Sequence, residues 1–169
     1  PKEFVLSSPV CLKPPITETY NGTSFTEVND LNTGRNTPGS SGADNTSALI
    51  FGGGISTGQT ANTETWNGYT WTEVNNLNTA RQLLAGAGTA TVGLAFGGTT
   101  GSSSAATEEW NAGISVGAWI TSGNLNNARR DGAGAGNQTA ALFFSGTSPG
   151  TPKMANTESY NGTAWAEVN

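Results

Sequence analysis

Histidine is absent from this sequence of 169 residues, and cysteine occurs only once, at Cys11. A Ser-His-Asp or Cys-His catalytic arrangement and a zinc site built on histidine therefore cannot form within the chain. A single cysteine also excludes an intramolecular disulfide framework. We expect no catalytic residue, no metal site and no cofactor, so the sequence predicts a protein that is not an enzyme.

Charged residues are also scarce, at 11% of the chain, with 7 basic against 12 acidic side chains. A nucleic-acid partner is not expected, because such proteins carry clustered lysine and arginine to contact phosphates. Membrane insertion is not expected either, since no run approaches the roughly 20 apolar residues of a spanning helix. Alanine, leucine, glutamate and lysine would have to dominate the composition of a helical bundle or a coiled coil. They do not dominate it here, which excludes that class.

Glycine, threonine, asparagine and serine make up 82 of the 169 residues, a composition typical of flexible linkers. Comparison of the sequence with itself argues against a linker, because one block of Thr-Glu-x-aromatic-Asn-Gly and Thr/Ala-Glu-Val-Asn recurs. Its copies are 17–29, 63–75 and 157–169, with a fourth, longer copy that starts at 107–111 and reaches Trp119. The first aromatic residues lie at positions 20, 66, 110 and 160, in steps of 46, 44 and 50 residues.

Two further blocks recur in the same order. A Leu-Asn-x-x-Arg block occupies 31–35, 77–81 and 125–129, and its arginine follows an aromatic residue of the previous block by ten positions. An apolar run that ends in Gly-Gly or Ser-Gly occupies 48–53, 94–98 and 142–146. Three ordered blocks at constant spacing indicate a folded structural repeat.

The local chemistry of each repeat predicts four short strands. Asn-Gly at 21–22, 67–68 and 161–162 predicts two-residue type I′ hairpins, which need positive φ at both residues. The continuous apolar runs favour strands that are buried on both faces. Gly-Ala-Gly segments at 86–88 and 132–136 predict inner strands that crowd together, where only very small side chains fit.

The order of arginine, Gly-Ala, apolar run with Gly-Gly, Glu-x-aromatic and tryptophan resembles the kelch motif over about 17–169. The short hairpins and Gly-Ala-Gly strands resemble the kelch-like repeats of virion structural proteins from marine tailed phages, especially cyanophages. The chain departs from the pattern at Ser145-Gly146, at Phe25 in place of tryptophan, and at an insertion over 113–118.

This resemblance implies an all-β, kelch-type β-propeller of about three complete four-stranded blades and one partial blade. The chain would then be a fragment or an open arc of a larger ring, because propellers close with four to eight blades. We expect a linker or docking arm over 1–16, an outer hairpin over 17–34, and blades over 35–80, 81–128 and 129–169.

One glutamate and one arginine recur in each repeat. Two carboxylates can hydrolyse a glycosidic bond, but residues at equivalent positions of every repeat more often hold the structure together. The repetition favours structural Glu–Arg pairs over catalysis. The residues concerned are Glu18, Glu64, Glu108, Glu158, Arg35, Arg81 and Arg129.

A ligand-binding site is not identified by the sequence, although some residues are candidates. The five tryptophans could stack on sugars, but their place in the repeat favours packing between blades. Tyr69 and Ile114 break the repeat pattern and are expected to be exposed. Loops 55–61, 99–106 and 147–155 are rich in Ser, Thr and Gly and suit hydrogen bonding to glycans.

Two functions remain open. The first is a non-enzymatic structural module of a virion or an extracellular fibre, used for surface display or adhesion to a host or glycan. Its partners would be other virion or fibre subunits, the rest of the same propeller, or a surface glycan. The alternative is a secreted bacterial, lectin-like propeller that binds polysaccharide. Either function places the protein on a virion or outside the cell.

Overall fold

A computed structural model describes residues 16–113, 117–150 and 153–168. These residues form antiparallel β-sheets and no helix, so the all-β prediction is confirmed. The expected arm over 1–16 lies outside the described residues except for Ile16, which is half exposed. The described part of the chain contains no helix that is long and apolar enough to cross a bilayer.

Three four-stranded sheets follow one another along the chain, and in each the strands pair in chain order. The first sheet contains β3 (Gly39–Asp44), β4 (Ser47–Phe51), β7 (Thr63–Trp66) and β8 (Trp71–Val74). The second sheet contains β9 (Ala85–Gly88), β10 (Val92–Phe96), β11 (Thr107–Asn111) and β12 (Ala118–Ser122). The third sheet contains β13 (Ala133–Asn137), β14 (Ala140–Phe144), β15 (Thr157–Tyr160) and β16 (Trp165–Val168).

Two smaller pieces complete the architecture. A half sheet of β1 (Thr17–Tyr20) and β2 (Phe25–Val28) precedes the first sheet and has the sequence of a third and a fourth strand. A two-stranded hairpin of β5 (Gly54–Ile55) and β6 (Gly58–Gln59) lies in the connection between β4 and β7.

The hairpins at Asn-Gly differ from the type I′ turns that the sequence predicts. Tyr20 pairs with Phe25 and Trp66 with Trp71, so each loop has four residues. Only the glycine has positive φ, 92° at Gly68. The Asn67 Oδ1 atom instead accepts the backbone N–H groups of Tyr69 and Thr70 at 3.0 and 2.9 Å. The type I′ prediction is therefore wrong, because the asparagine acts through its side chain and not through a left-handed backbone.

The first strands of the three sheets lie side by side, in the order β3, β9, β13. A Cβ atom on Gly86 of β9 would overlap the Ser40 carbonyl of β3. A Cβ atom on Gly134 of β13 would lie 2.9 Å from the Gly86 carbonyl. The predicted crowding of these strands is confirmed, and it explains why their side chains are so small.

Two apolar cores fill the spaces between neighbouring sheets. The first core joins Leu49 and Phe51 of the first sheet to Trp110 and Trp119 of the second. The second core joins Leu94 and Phe96 of the second sheet to residues of the third, which are Ala141, Phe143, Tyr160 and Trp165. Both faces of the second sheet are thus covered, as the continuous apolar run of β10 indicates.

Candidate functional site

The repeated glutamates and arginines meet in pairs inside the protein. Arg35 contacts Glu64, Arg81 Nη2 lies 3.1 Å from Glu108 Oε1, and Arg129 Nη1 lies 3.0 Å from Glu158 Oε1. The arginine side chains are 0% exposed and those of the glutamates 3% or less. In each pair the glutamate lies on the third strand of a sheet and the arginine in the segment that precedes that sheet.

An asparagine completes each pair. Asn126 donates from its backbone N–H and its side-chain amide to Glu158 Oε2, at 2.7 and 2.9 Å. The same amide donates to the Trp165 carbonyl at 3.0 Å. Asn32 makes both contacts with Glu64, whereas Asn78 donates to Glu108 Oε2 from its backbone N–H alone, at 2.7 Å, and its amide donates to the Trp119 carbonyl. The asparagine of the Leu-Asn-x-x-Arg block therefore holds the carboxylate and the fourth strand.

Two of these arginines, Arg81 and Arg129, also connect neighbouring sheets. The Arg81 guanidinium donates to the Ala106 carbonyl of the second sheet's long connection at 2.9 Å. The Arg81 backbone carbonyl accepts from Gly53 N, beside the first sheet, at 2.9 Å. Arg129 repeats this arrangement by accepting from Gly98 N at 2.9 Å. Because each of these two arginines is hydrogen-bonded to two adjacent sheets, it holds the sheets together. Their position in the fold therefore indicates a structural role.

Burial is the dominant influence on these guanidinium groups, and it lowers the pKa of Arg35, Arg81 and Arg129. The facing glutamate opposes this effect in each pair, and arginine stays protonated in proteins. The carboxylates of Glu64, Glu108 and Glu158 are thus enclosed beside a cation and almost without exposed surface. A sugar or an attacking water does not reach them in this arrangement.

Glu18, the fourth member of the repeated set, differs from the others. It lies on β1 and is exposed, and within the described residues no arginine or lysine forms an ion pair with it. The structure thus brings together three of the four repeated glutamates with the three repeated arginines.

A polar cluster lies between the second and third sheets at positions where the repeats differ. Tyr160 Oη donates to Glu109 Oε1 at 2.5 Å, Ser122 Oγ donates to the same oxygen at 2.7 Å, and the two hydroxyls contact one another. Burial, followed by the hydrogen bond to Glu109, raises the pKa of Tyr160 to about 12. Tyr160 is therefore a neutral hydrogen-bond donor at physiological pH.

The sequence contains a signal for this cluster that the repeat comparison missed. Glu109 and Ser122 replace Thr65 and Val74 of the first sheet, so two polar substitutions coincide in one repeat. The neighbours Glu108 and Glu109 point to opposite faces, as expected in a strand: one binds Arg81 and the other Tyr160.

An open groove of about 520 Å³ lies between the first and second sheets. Hydroxyl, amide and carboxylate groups line it together with one indole edge and the small or apolar residues Val74, Ala90, Ala112 and Gly117. The residues that supply the polar groups and the indole are Ser47, Thr65, Glu73, Asn75, Thr91 and Trp110. Glu73 and Thr91 are exposed, whereas Trp110 is 2% exposed and presents little of its ring. A volume in this range accommodates a small ligand such as a short sugar.

The other candidate ligand-binding residues that the sequence indicates lie outside the groove or are buried in the protein. Tyr69 is 80% exposed, as predicted, and Ile114 lies outside the described residues. Trp71 is half-buried, and the other tryptophans are at most 6% exposed; they are Trp66, Trp110, Trp119 and Trp165. The loops 55–61 and 99–106 line no part of the groove, and 147–155 is described except for 151–152.

Groups of three or more histidine, cysteine, aspartate or glutamate side chains that could hold a metal ion are not found in the described residues. No protein-family model matches the sequence, and no curated protein matches it. Solved structures do match the fold, among them the structure of YjhT with a TM-score of 0.71 and 13% identity. This match covers 92% of the chain and 52% of YjhT, so the chain spans about half the length of that structure. At this identity the likeness shows a shared fold and nothing more.

Proposed function

We propose that the chain is a non-enzymatic structural module of the kelch-like propeller type, displayed on a virion or an extracellular fibre, where it adheres to a surface glycan. The observation that carries the adhesion part of the proposal is the open groove between the first and second sheets. Its rim offers the donors and acceptors that sugars need, and its size suits one or two sugar rings.

The sheet arrangement supports the propeller part of the proposal. Three sheets with the same strand order place their first strands side by side, and buried arginines connect neighbours. Blades of a propeller have this relation, with small inner strands near a common axis. In this proposal the three sheets are complete blades and the half sheet is the outer hairpin of a partial blade.

The buried ion pairs support a function without catalysis. The recurrent glutamates that could have acted as an acid and a base are enclosed with arginines in three of the four repeats. A glycoside hydrolase needs two carboxyl groups that flank the sugar bond and reach it. The three enclosed glutamates have no such access, so we propose binding and not cleavage.

A glycan array with the purified chain tests adhesion. We expect binding to a defined set of glycans, and we expect Thr91→Arg to abolish it because a long side chain would fill the groove. Thr100→Arg is the matched control, since Thr100 is an exposed threonine of loop 99–106 away from the groove. Loss of binding with Thr100→Arg alone would move the site to the loops, and an array without binding would contradict adhesion to glycans.

Location distinguishes the fibre module from the alternative, a secreted bacterial lectin-like propeller that the same groove also favours. Immunogold labelling with an antibody against the chain should decorate particles or fibres in electron micrographs of the producing culture. Label confined to soluble secreted protein, with glycan binding intact, would support the alternative.

A further inference from the structure

The third sheet has an apolar face that no other described sheet covers. Leu142 and Phe144 of β14 are 42% and 39% exposed, and Val168 of β16 is 39% exposed. The equivalent residues of the second sheet, Leu94 and Phe96, are 0% exposed. We call the surface of Leu142, Phe144, Thr157 and Val168 the open face.

The other two sheets show what covers such a face. Trp119 of the second sheet packs on Phe51 of the first, with ring centroids 4.9 Å apart, and its indole N–H donates to Thr63 Oγ1 at 3.1 Å. Trp165 packs in the same way on Phe96, also at 4.9 Å, and donates to Thr107 Oγ1 at 3.0 Å. In both cases the covering residue is the first aromatic residue of a fourth strand.

The half sheet presents the same kind of aromatic group, and no sheet among the described residues lies beneath it. Phe25 begins β2, at the position of Trp119 and Trp165, and is 67% exposed. Tyr20 packs beside it at 4.8 Å and is 49% exposed, whereas its counterpart Trp110 is 2% exposed. We call the surface of Tyr20, Phe25 and Leu31 the projecting edge.

The residue Leu31 strengthens this comparison. It is half-buried, while its counterparts Leu77 and Leu125 are each 4% exposed and belong to the two inter-sheet cores. Within the part of the chain that the structure describes, the projecting edge thus lacks the neighbour that the later repeats have, and the open face lacks a neighbour of the opposite kind.

We propose that the chain associates head to tail with a second copy of itself, and that the projecting edge of one copy packs on the open face of the other. Phe25 then lies over Phe144 as Trp119 lies over Phe51. The contact repeats an interface that the protein already forms twice, so both surfaces have the shape and apolar character that it needs. This proposal goes beyond the proposed adhesion and does not depend on a glycan.

Backbone hydrogen-bonding groups lie at the two surfaces as well and extend the proposed contact between the copies. Within the chain, the Arg81 and Arg129 carbonyls accept from Gly53 N and Gly98 N of the preceding sheet. The corresponding groups at the two surfaces are the Arg35 carbonyl and the Gly146 amide. Since Arg35 is already fixed by Glu64, its carbonyl is held in place before a second copy arrives.

Two residues make this contact weaker than the internal ones. Phe25 has no indole N–H for the hydroxyl of Thr157. Ser145 has φ of 63°, the value of Gly52, where an added Cβ would lie 2.5 Å from the Arg81 carbonyl. The Ser145 Cβ therefore obstructs close approach of the Arg35 carbonyl, which would have to shift to avoid it.

Because the two surfaces differ, the association is heterologous and produces a ring if the rotation closes and a filament if it does not. Sedimentation velocity of the chain, as its concentration rises, tests the proposal. We expect a mass above that of the monomer, and we expect Phe25→Glu or Phe144→Glu each to end growth of the assembly. Tyr69→Glu is the control, because it places the same charge on an exposed aromatic residue of neither surface.

Mixing the two interface variants gives the decisive result. A Phe25→Glu copy keeps its open face and a Phe144→Glu copy keeps its projecting edge, so an equimolar mixture should contain a heterodimer and nothing larger. Near-ultraviolet circular dichroism confirms that each variant is folded. A mixture that remains monomeric contradicts the proposal, even where glycan binding is intact.

Three further substitutions test the details of the contact, and two of them should tighten association while the third should cancel one of the gains. Phe25→Trp should tighten association about threefold to tenfold through a new hydrogen bond, and Thr157→Val should cancel that gain. Ser145→Gly should also tighten association by removing the obstructing Cβ. A contact of low affinity has a dissociation constant of about 1 mM. If the wild-type chain and Phe25→Trp both remain monomeric up to that concentration, the proposal is overturned.

Discussion

Replacing Arg81 with alanine tests the central structural claim about the buried ion pairs. The substitution leaves Glu108, which is 2% exposed, without a cation, and leaves the Ala106 carbonyl without its donor at 2.9 Å. Removing one partner of a buried pair costs about 3–5 kcal/mol, because the remaining charge is desolvated and uncompensated. For a chain of this length, each kcal/mol lowers the melting temperature by about 2–4 °C. We therefore expect the melting temperature of Arg81→Ala to fall by roughly 6–20 °C.

Differential scanning calorimetry measures this change, and Arg130→Ala is the matched control. The Arg130 side chain is 35% exposed and lies 3.5 Å from Asp131 Oδ2. An exposed pair of this kind contributes at most about 1 kcal/mol, so the control should lose no more than about 4 °C. The double variant with Arg81→Met and Glu108→Leu should recover part of the lost melting temperature, because no buried charge remains. Equal melting temperatures for wild type and Arg81→Ala would refute the reasoning.

Three more predictions concern the turns, the crowded strands and the polar cluster. Asn67→Ala should cost about 1 kcal/mol of the free energy of unfolding and Asn67→Asp less, since aspartate keeps the acceptor; urea denaturation measures both. Gly86→Ala should reduce the yield of folded protein severely, because its Cβ would overlap the Ser40 carbonyl, whereas Gly58→Ala meets no atom within 4 Å and should cost only the strain of its positive φ, about 1–3 kcal/mol. The pKa of Tyr160 is raised to about 12, so the folded state keeps a proton that the unfolded state loses near pH 10, and stability should fall from about pH 10 to pH 12. The difference in absorbance titration between wild type and Tyr160→Phe should show one phenol ionising near pH 12, and a transition near pH 10 would contradict the burial argument.

The repeat pattern predicted the strands because each signal has a local physical cause. Glycine-rich segments fit crowded strands, and continuous apolar runs fit strands that are buried between sheets. The type I′ prediction failed at Asn21, Asn67 and Asn161, because Asn-Gly also suits a longer loop in which the amide oxygen accepts two backbone donors.

The groove could not be predicted in the same way. Its lining residues come from different repeats, for instance Glu73 and Thr91, and each looks unremarkable within its own strand or turn. Sequence comparison between repeats finds what the copies share, whereas a groove between sheets depends on how the copies pack. The cluster of Glu109, Ser122 and Tyr160 is intermediate, since two of its members are visible as departures from the repeat.

The double attachment of Arg81 has a consequence for where this chain can be divided. Its carbonyl belongs to the interface with Gly53 and its guanidinium belongs to the sheet of Glu108. A cut between the first and second sheets, made just before or just after this arginine, deprives one of them of its partner. The unit that can be transplanted or deleted without loss is therefore a sheet together with the arginine segments on both of its sides, so adjacent units overlap and cannot be exchanged as separate cassettes.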